Sequence, residues 1–333
     1  MTDADPVAVL GGGSWGTALA WLLCRPGSTV RLWARDPAQV RALIQSRENK
    51  HYLPGLTLPA SVLFTADPAV ALDGARAVII AVPSDAVGPL CAHLRAAGGA
   101  PAGMLLAAKG LERGSGRRLS QVVQAELGAV QVAVLSGPNL AREVVQLTPT
   151  ASVIASEDPD WSRELQVRLG TPVFRIYTNT DLAGVELAGA LKNPLAIAAG
   201  ISDGLGYGAN TRAALLTRGL AEMVRLGVAA GGRASTFSGL AGLGDLMATA
   251  GSPLSRNYRV GLALGRGDGL AMVLAALGQV AEGVPTTAAA CLLAHSLGVE
   301  VPILAGLRRV LDGGASVQDA VVDLLARPFR EEA

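Results

Sequence analysis

The stretch VAVLGGGSWGTALAWLL, residues 7–23, decides the fold. It opens with four apolar residues, passes through Gly11-x-Gly13-x-x-Gly16, and continues as an apolar, Ala/Leu-rich run at helical spacing. Each glycine in such a strand–turn–helix has its own mechanical purpose. Gly11 permits the tight turn, Gly13 lets the backbone approach a pyrophosphate, and Gly16 allows the helix to pack close to the strand. The helix N-terminus then offers unpaired N–H donors and the positive end of its dipole to phosphate oxygens. A Gly-rich turn with no ligand is the alternative, but this one opens a βαβ unit, the setting in which a dinucleotide is held.

Outward from that unit, TVRLWA (29–34), AVIIAV (77–82), MLLAA (104–108) and VAVL (132–135) are apolar or nearly so, as strands of a parallel sheet covered on both faces are. Helix-length segments separate them, so the chain reads βαβα, a doubly wound Rossmann-type α/β sheet. ASVIAS (151–156) and VFRIY (173–177) are two more strands around a helical piece near Trp161–Leu169. After TNTD (178–181) only long Ala/Leu/Gly stretches at helical spacing remain, with Asp181 as a plausible N-cap. The expectation is a dinucleotide-binding domain over 1–180 and an all-α substrate-binding and catalytic domain over 181–333.

The totals narrow the function class. The 333 residues suffice for two cores. No apolar run reaches the roughly 18 residues of a membrane span, and MTDADPVAVL lacks a basic segment ahead of an apolar one, so no signal peptide is expected. A net charge of +1 with dispersed cations argues against a nucleic-acid surface. Cys24, Cys91 and Cys291 lie far apart without metal-ligand spacing, which points to a reduced, cytoplasmic protein with no metal. His51, His93 and His295 form no triad-like or metal-like set.

Polar groups in apolar surroundings mark the chemistry. Of 28 Lys and Arg residues only Lys50, Lys109 and Lys192 are lysine, and Lys192 sits inside LAGALKNPLAIAAG (187–200). Hydride reduction of a ketone puts negative charge on its oxygen, which an ammonium can stabilise and then protonate. Lysine can cycle its proton because its pKa is movable, whereas arginine stays protonated. A snorkelling side chain is the bland alternative for Lys192. Asp245 in GLGDL could pair with Lys192, hold a substrate hydroxyl or cap a helix. SPLSRN (252–257) offers a hydroxyl, a guanidinium and an amide, a set suited to a phosphate dianion or to an ordinary polar loop. The second strand ends RLWARD, so Arg35 arrives before Asp36. A guanidinium there favours a 2′-phosphate and hence NADP(H) over NAD(H), with Asp36 as the competing partner for a ribose hydroxyl.

In this order, GSWGTALA, YLPG, AVPS, AAKGLE (107–112), LSGPNLARE (135–143), ELAGALKNP (186–194), GISDGLGYGANTRAALLTRGLAEM (200–223), GLAGLGDLMATAGSPLSRN (239–257) and GQVAEG (278–283) resemble the bacterial NAD(P)-dependent sn-glycerol-3-phosphate dehydrogenase family along nearly the whole chain. The resemblance implies a cytoplasmic, homodimeric oxidoreductase that interconverts dihydroxyacetone phosphate and sn-glycerol 3-phosphate with NADPH or NADH, supplying the glycerophospholipid backbone. It implies that Lys192 is the proton donor and acceptor, and that Lys109 contacts cofactor and substrate. It places Gly137, Asn139, Asp245, Ser255, Arg256 and Asn257 at substrate positions. It also places Ser14, Trp15, Arg35, Ala141, Val280, Glu282 and again Arg256 against the cofactor. Three positions depart from the family pattern: Asn139 stands for Ser or Thr, Gly12 for Ala, and Pro194 for a β-branched residue. The change at Gly12 is expected only to loosen the loop, and Pro194 either to kink the helix or to be tolerated where it is already irregular. Other two-domain reductases that use a lysine, such as ketopantoate reductases, are the nearest rival, and a non-catalytic dinucleotide sensor is a rival of another class.

Overall fold

The computed structural model describes residues 5–96, 101–328 and 331. Residues 1–4, part of the stretch read above for a leader, lie outside them. The chain forms two compact units. One comprises the residues up to Lys109 together with Arg118–Glu186, and the other Gly110–Arg117 together with the chain from Leu187 onward.

In the first unit the elements alternate: β1 (Val7–Leu10), α1 (Ser14–Leu22), β2 (Val30–Trp33), α2 (Pro37–Ser46), β3 (Val62–Thr65), α3 (Pro68–Leu72), β4 (Ala77–Ile80), α4 (Val87–Ala96) and β5 (Gly103–Leu106). They continue as α5 (Leu119–Leu127), β6 (Gln131–Ser136), α6 (Ala141–Val145), β7 (Thr150–Ser156), α7 (Pro159–Leu169) and β8 (Phe174–Asn179). The sheet order is β3-β2-β1-β4-β5-β6-β7-β8. All neighbours are parallel except β6 and β7, which run antiparallel with Leu135 opposite Ile154. The apolar runs of β1, β4 and β5 are buried along their whole length, as a sheet covered on both faces requires. One strand escapes the sequence reading. β3, at the sheet edge, is VLFT, a short strand of which only Val62 is buried.

The order reverses at β1, whose neighbours are β2 on one side and β4 on the other. In open α/β sheets ligands bind beyond the carboxyl ends of the strands at such a switch point. The glycine turn follows β1 at that place.

The second unit is helical: α8 (Leu182–Gly204), whose first turn belongs to the sheet unit, then α9 (Ala209–Ala229), α10 (Ala234–Phe237), α11 (Asp245–Ala250), α12 (Arg256–Gly265), α13 (Leu270–Leu277), α14 (Gly283–Ser296), α15 (Pro302–Leu311) and α16 (Val317–Leu325). Asp181 caps α8, its Oδ1 accepting from Gly184 N at 2.9 Å. The compact sheet unit runs on to Glu186. Glu186 gives the reason. Its carboxylate accepts from Ser120 N (2.8 Å), Ser120 Oγ (2.6 Å) and Arg118 Nη1 (3.2 Å), fastening the start of α8 to the start of α5. Residues 110–117 join the helical unit, where a Cβ on Gly116 would lie 2.8 Å from the Ala289 carbonyl oxygen. Pro194 lies inside α8, which runs unbroken from Leu182 to Gly204. The proline therefore does not end the helix.

Among the described residues no helix is long and apolar enough to cross a membrane. The three cysteines are free, and burial pushes the Cys91 and Cys291 thiols up to about 11.

A buried carboxyl makes the helical unit sensitive to pH. Glu222 on α9 accepts from Ile303 N (2.8 Å) and Leu304 N (3.3 Å), capping α15 from inside the protein. Burial outweighs these bonds and pushes its pKa from 4.5 to about 7. A raised folded-state value means that the folded protein holds this proton more tightly than the unfolded chain does. The associated stability is complete below 4.5 and is lost as pH rises through about 7. The loss amounts to about 3 kcal/mol. Thermal melts at pH 5 and pH 8 should show a smaller difference for Glu222→Gln than for the parent; an undiminished difference would place the titration elsewhere.

Candidate active site

Three glycines of the β1–α1 turn are fixed by three different surroundings. Gly11 has φ +135°, and a Cβ there would lie 2.5 Å from the carbonyl oxygen of Ala81, just past β4. A Cβ on Gly16 would lie 1.9 Å from the Gly11 oxygen, so helix and turn touch through backbone. Gly13, the N-cap of α1, would meet nothing within 4 Å. Two glycines are thus needed by the protein itself, and the third leaves open space of the kind a pyrophosphate requires. The cradle fits a dinucleotide.

Gly12 is not the loosened position expected of it. A Cβ there would lie 2.7 Å from the Ala34 Cβ and 2.9 Å from Gln39 Nε2, and its carbonyl is bonded to Gln39 and Asn49. The absent methyl group makes room for an ordered contact. Ser14 Oγ donates to the Tyr52 carbonyl at 2.7 Å, which docks the YLPG segment on the turn. The Trp15 ring packs against the sheet's core and meets Phe174 edge-on at 6.4 Å.

Beyond β2, Asp36 is engaged as the N-cap of α2, accepting from Ala38 N at 2.8 Å, while Arg35 is exposed. One oxygen of the Asp36 carboxylate thus caps the helix that follows it.

AAKG and SGPN meet at the ends of β5 and β6. Lys109 Nζ donates to the Gly137 carbonyl (2.9 Å) and to Asn139 Oδ1 (2.7 Å). Asn139 passes the contact on through Nδ2 to Ser152 Oγ at 3.2 Å. Gly137 has φ +134°, and a Cβ there would lie 3.0 Å from the Ser152 Cα, which explains the glycine. Ala141 opens α6.

The helical unit assembles the other cluster. Lys192 on α8 is only 6 % exposed and Asp245 only 2 %, so the lysine does not snorkel. Its Nζ lies 3.0 Å from Asp245 Oδ1 and donates to Thr249 Oγ1 at 2.7 Å. The Thr249 hydroxyl in turn donates to Asp245 Oδ1 at 3.1 Å. An ammonium has three protons, and this ring directs two of them. A π-helical turn, Leu240–Gly244, leads into α11 and sets Asp245 as its first residue, one helical turn before Thr249.

Next along α8, Asn193 Oδ1 accepts from Asn257 Nδ2 at 2.8 Å, and Asn257 Oδ1 accepts from Gly283 N at 2.9 Å. Asn257, matched above to substrate, is thereby engaged at both ends of its amide in joining α8, α12 and the start of α14. Ser255 Oγ is the N-cap of α12, accepting from Tyr258 N at 3.2 Å. Arg256, at the first position of α12, is exposed, as is Val280, and Glu282 stands immediately before α14. Thr249 and Asn193 were missed by the sequence reading. The signal was present: Asp245 and Thr249 are four apart on a helix and so share a face.

Comparison with known proteins places the chain. The family profile described as NAD-dependent glycerol-3-phosphate dehydrogenase N-terminus matches residues 6–162, and the corresponding C-terminus profile matches residues 181–322. The chain belongs to the NAD-dependent glycerol-3-phosphate dehydrogenase family. It is 49 % identical over 328 residues to glycerol-3-phosphate dehydrogenase [NAD(P)+] of Rhodospirillum rubrum, covering 98 % of this chain and 94 % of that one. The protein of the same name from Moorella thermoacetica is 49 % identical over 330 residues, 98 % of each chain. The crystal structure of glycerol-3-phosphate dehydrogenase from Coxiella burnetii superposes with a TM-score of 0.94 at 43 % identity, covering 98 % of this chain and 100 % of that one. Membership of the glycerol-3-phosphate dehydrogenase family makes the chain an NAD(P)-dependent oxidoreductase, with the Rossmann-type sheet and helical second half expected from sequence.

Proposed function

We propose that this protein catalyses the reversible reduction of dihydroxyacetone phosphate to sn-glycerol 3-phosphate, with Lys192 as the proton-transfer group. The observation that carries the reading is the buried Lys192–Thr249–Asp245 ring in a chain of this family. The β1–α1 turn, with Gly11, Gly13, Ser14, Trp15 and Gly16, would hold the pyrophosphate of the cofactor, and Ala141, Val280 and Glu282 further parts of it. The bound nicotinamide supplies the hydride. Lys192 stabilises the negative charge that develops on the ketone oxygen and delivers a proton to it. Asp245 and Thr249 orient the ammonium, and the carboxylate keeps a buried cation compensated. Lys109, steadied by Gly137 and Asn139, contacts cofactor and substrate, and Arg256 takes the phosphate dianion by charge-assisted bonds.

The discriminating assay follows NADPH consumption with dihydroxyacetone phosphate, dihydroxyacetone and ketopantoate. Turnover should require the phosphate; equal rates with the unphosphorylated ketone, or a preference for ketopantoate, would overturn the assignment.

Arg35, exposed beyond β2, favours NADP(H), its guanidinium being suited to a 2′-phosphate. In Arg35→Ala the ratio of kcat/KM for NADPH to that for NADH should fall roughly tenfold, the loss of one charge-assisted contact. An unchanged ratio would remove Arg35 from cofactor selection. The same reading makes the protein a cytoplasmic homodimer that supplies the glycerophospholipid backbone.

A further inference from the structure

The carbonyl of Gly12 accepts two side-chain donors, Gln39 Nε2 at 2.6 Å and Asn49 Nδ2 at 2.9 Å. Asn49 is buried, and its amide also donates to Thr17 Oγ1 on α1 at 2.7 Å. Gln39 is the third residue of α2, after the Asp36 cap. A glutamine at that position often folds back to its own N-cap. Here it reaches instead to the β1–α1 turn. It can do so because Gly12 has no Cβ, which would otherwise lie 2.9 Å from the Gln39 nitrogen.

Peptide planarity gives this contact a consequence. In a trans peptide the C=O of one residue and the N–H of the next point in opposite directions, and the described residues contain no cis bond. Two donors that hold the Gly12 carbonyl therefore also hold the Gly13 N–H, aimed away from Gln39 and Asn49. Gly13 is the N-cap of α1, and the space over its Cα is open. Its N–H is one of the donors that a helix N-terminus offers to an anion.

We propose that Gln39 is a positioning residue for dinucleotide binding: its amide fixes the Gly12–Gly13 peptide so that the Gly13 N–H is already set for the pyrophosphate. The proposal rests on the reading that this turn holds the pyrophosphate. Preorganisation of this kind raises affinity by removing the cost of ordering a donor upon binding. The side chain touches no ligand. Its effect is transmitted through one peptide plane.

The test uses the full chain and direct titration with NADPH and with NADH. Gln39→Met keeps the volume of the side chain and removes the donor. Its Kd for both dinucleotides should rise roughly fivefold to tenfold, the size of one lost hydrogen bond, with the melting temperature unchanged. Gly12→Ala drives a methyl group against both the Ala34 Cβ and the Gln39 amide and should bind at least as weakly. Parent-like affinity in Gln39→Met would overturn the role. Gly13→Ala separates this outcome from a failure of the underlying reading. It meets no protein atom and should fold normally, yet crowd the ligand. If Gly13→Ala binds both dinucleotides like the parent, the turn is not the pyrophosphate site and the proposal falls with it. If Gly13→Ala loses binding while Gln39→Met does not, the turn stands and only Gln39 is excluded.

Discussion

Replacing Lys192 with alanine is expected to lower kcat by roughly three to four orders of magnitude, the combined scale of proton delivery and of charge stabilisation at the ketone oxygen. Cofactor affinity should remain that of the parent, because none of the residues matched to the β1–α1 turn is touched. The local fold tolerates the change on the helix side, since alanine extends an already Ala-rich stretch of α8. The cost falls on Asp245, which stays buried, keeps the Thr249 hydroxyl and loses the Lys192 ammonium that compensates its charge. For that reason Lys192→Arg belongs beside it. Arginine preserves the cation for Asp245 but does not give up its proton, so it should retain stability and still lose turnover. Circular dichroism and cofactor titration establish that both variants are folded and loaded. Near-parental kcat in a folded Lys192→Ala protein would remove the lysine from the reaction, and near-parental kcat in Lys192→Arg would reduce its role to charge alone.

The placement of that lysine was legible from the sequence, but its surroundings were not. An ammonium in LAGALKNPLAIAAG declares a burial problem in one dimension, and the solution lies 53 residues away at Asp245. Only the GLGDL glycines hinted at a crowded backbone there. The strands and the glycine turn were legible because parallel, doubly covered strands must be continuous apolar runs, and because a strand–turn–helix over a phosphate constrains three glycines independently. What escaped has equally physical causes. β3 is a short edge strand with only Val62 buried, so burial left no pattern on it. The antiparallel pairing of β6 with β7 depends on where the chain re-enters the sheet, which no local propensity encodes. Ser255 and Asn257 read as phosphate ligands because SPLSRN is polar; the fold adds local bonds the motif does not announce, the Ser255 hydroxyl accepting from Tyr258 N and the Asn257 amide joining Asn193 to Gly283. Short polar motifs state which hydrogen bonds are available. They do not state which are taken.

A substitution at Gly261 is expected to act on folding through backbone overlap. Helices α8 and α12 meet backbone to backbone along Gly200 and Gly204 on one side and Gly261 and Gly265 on the other. A Cβ on Gly261 would lie 1.9 Å from the Ile197 carbonyl oxygen and 2.9 Å from the Ile201 nitrogen. Both are main-chain atoms of a helix, so no rotamer change relieves the overlap and the helices must separate. Separation would also strain the Asn193–Asn257 bond at the same crossing. Overpacking of this kind costs about 1–3 kcal/mol and sometimes more. Alanine's better helix propensity returns about 1 kcal/mol, so Gly261→Ala should destabilise by about 1–2 kcal/mol and lower Tm by roughly 2–4 °C. Gly306 in α15 supplies the control, because its nearest neighbour to a new Cβ is Leu324 Cδ1 at 4.0 Å. With space available only the propensity remains, and Gly306→Ala should stabilise by about 0.5–1 kcal/mol. The same substitution in two helices should thus move stability in opposite directions in a urea titration. Shifts of the same sign would mean that the glycines of the α8–α12 crossing are not what brings the Lys192 helix and the Arg256 helix to their spacing.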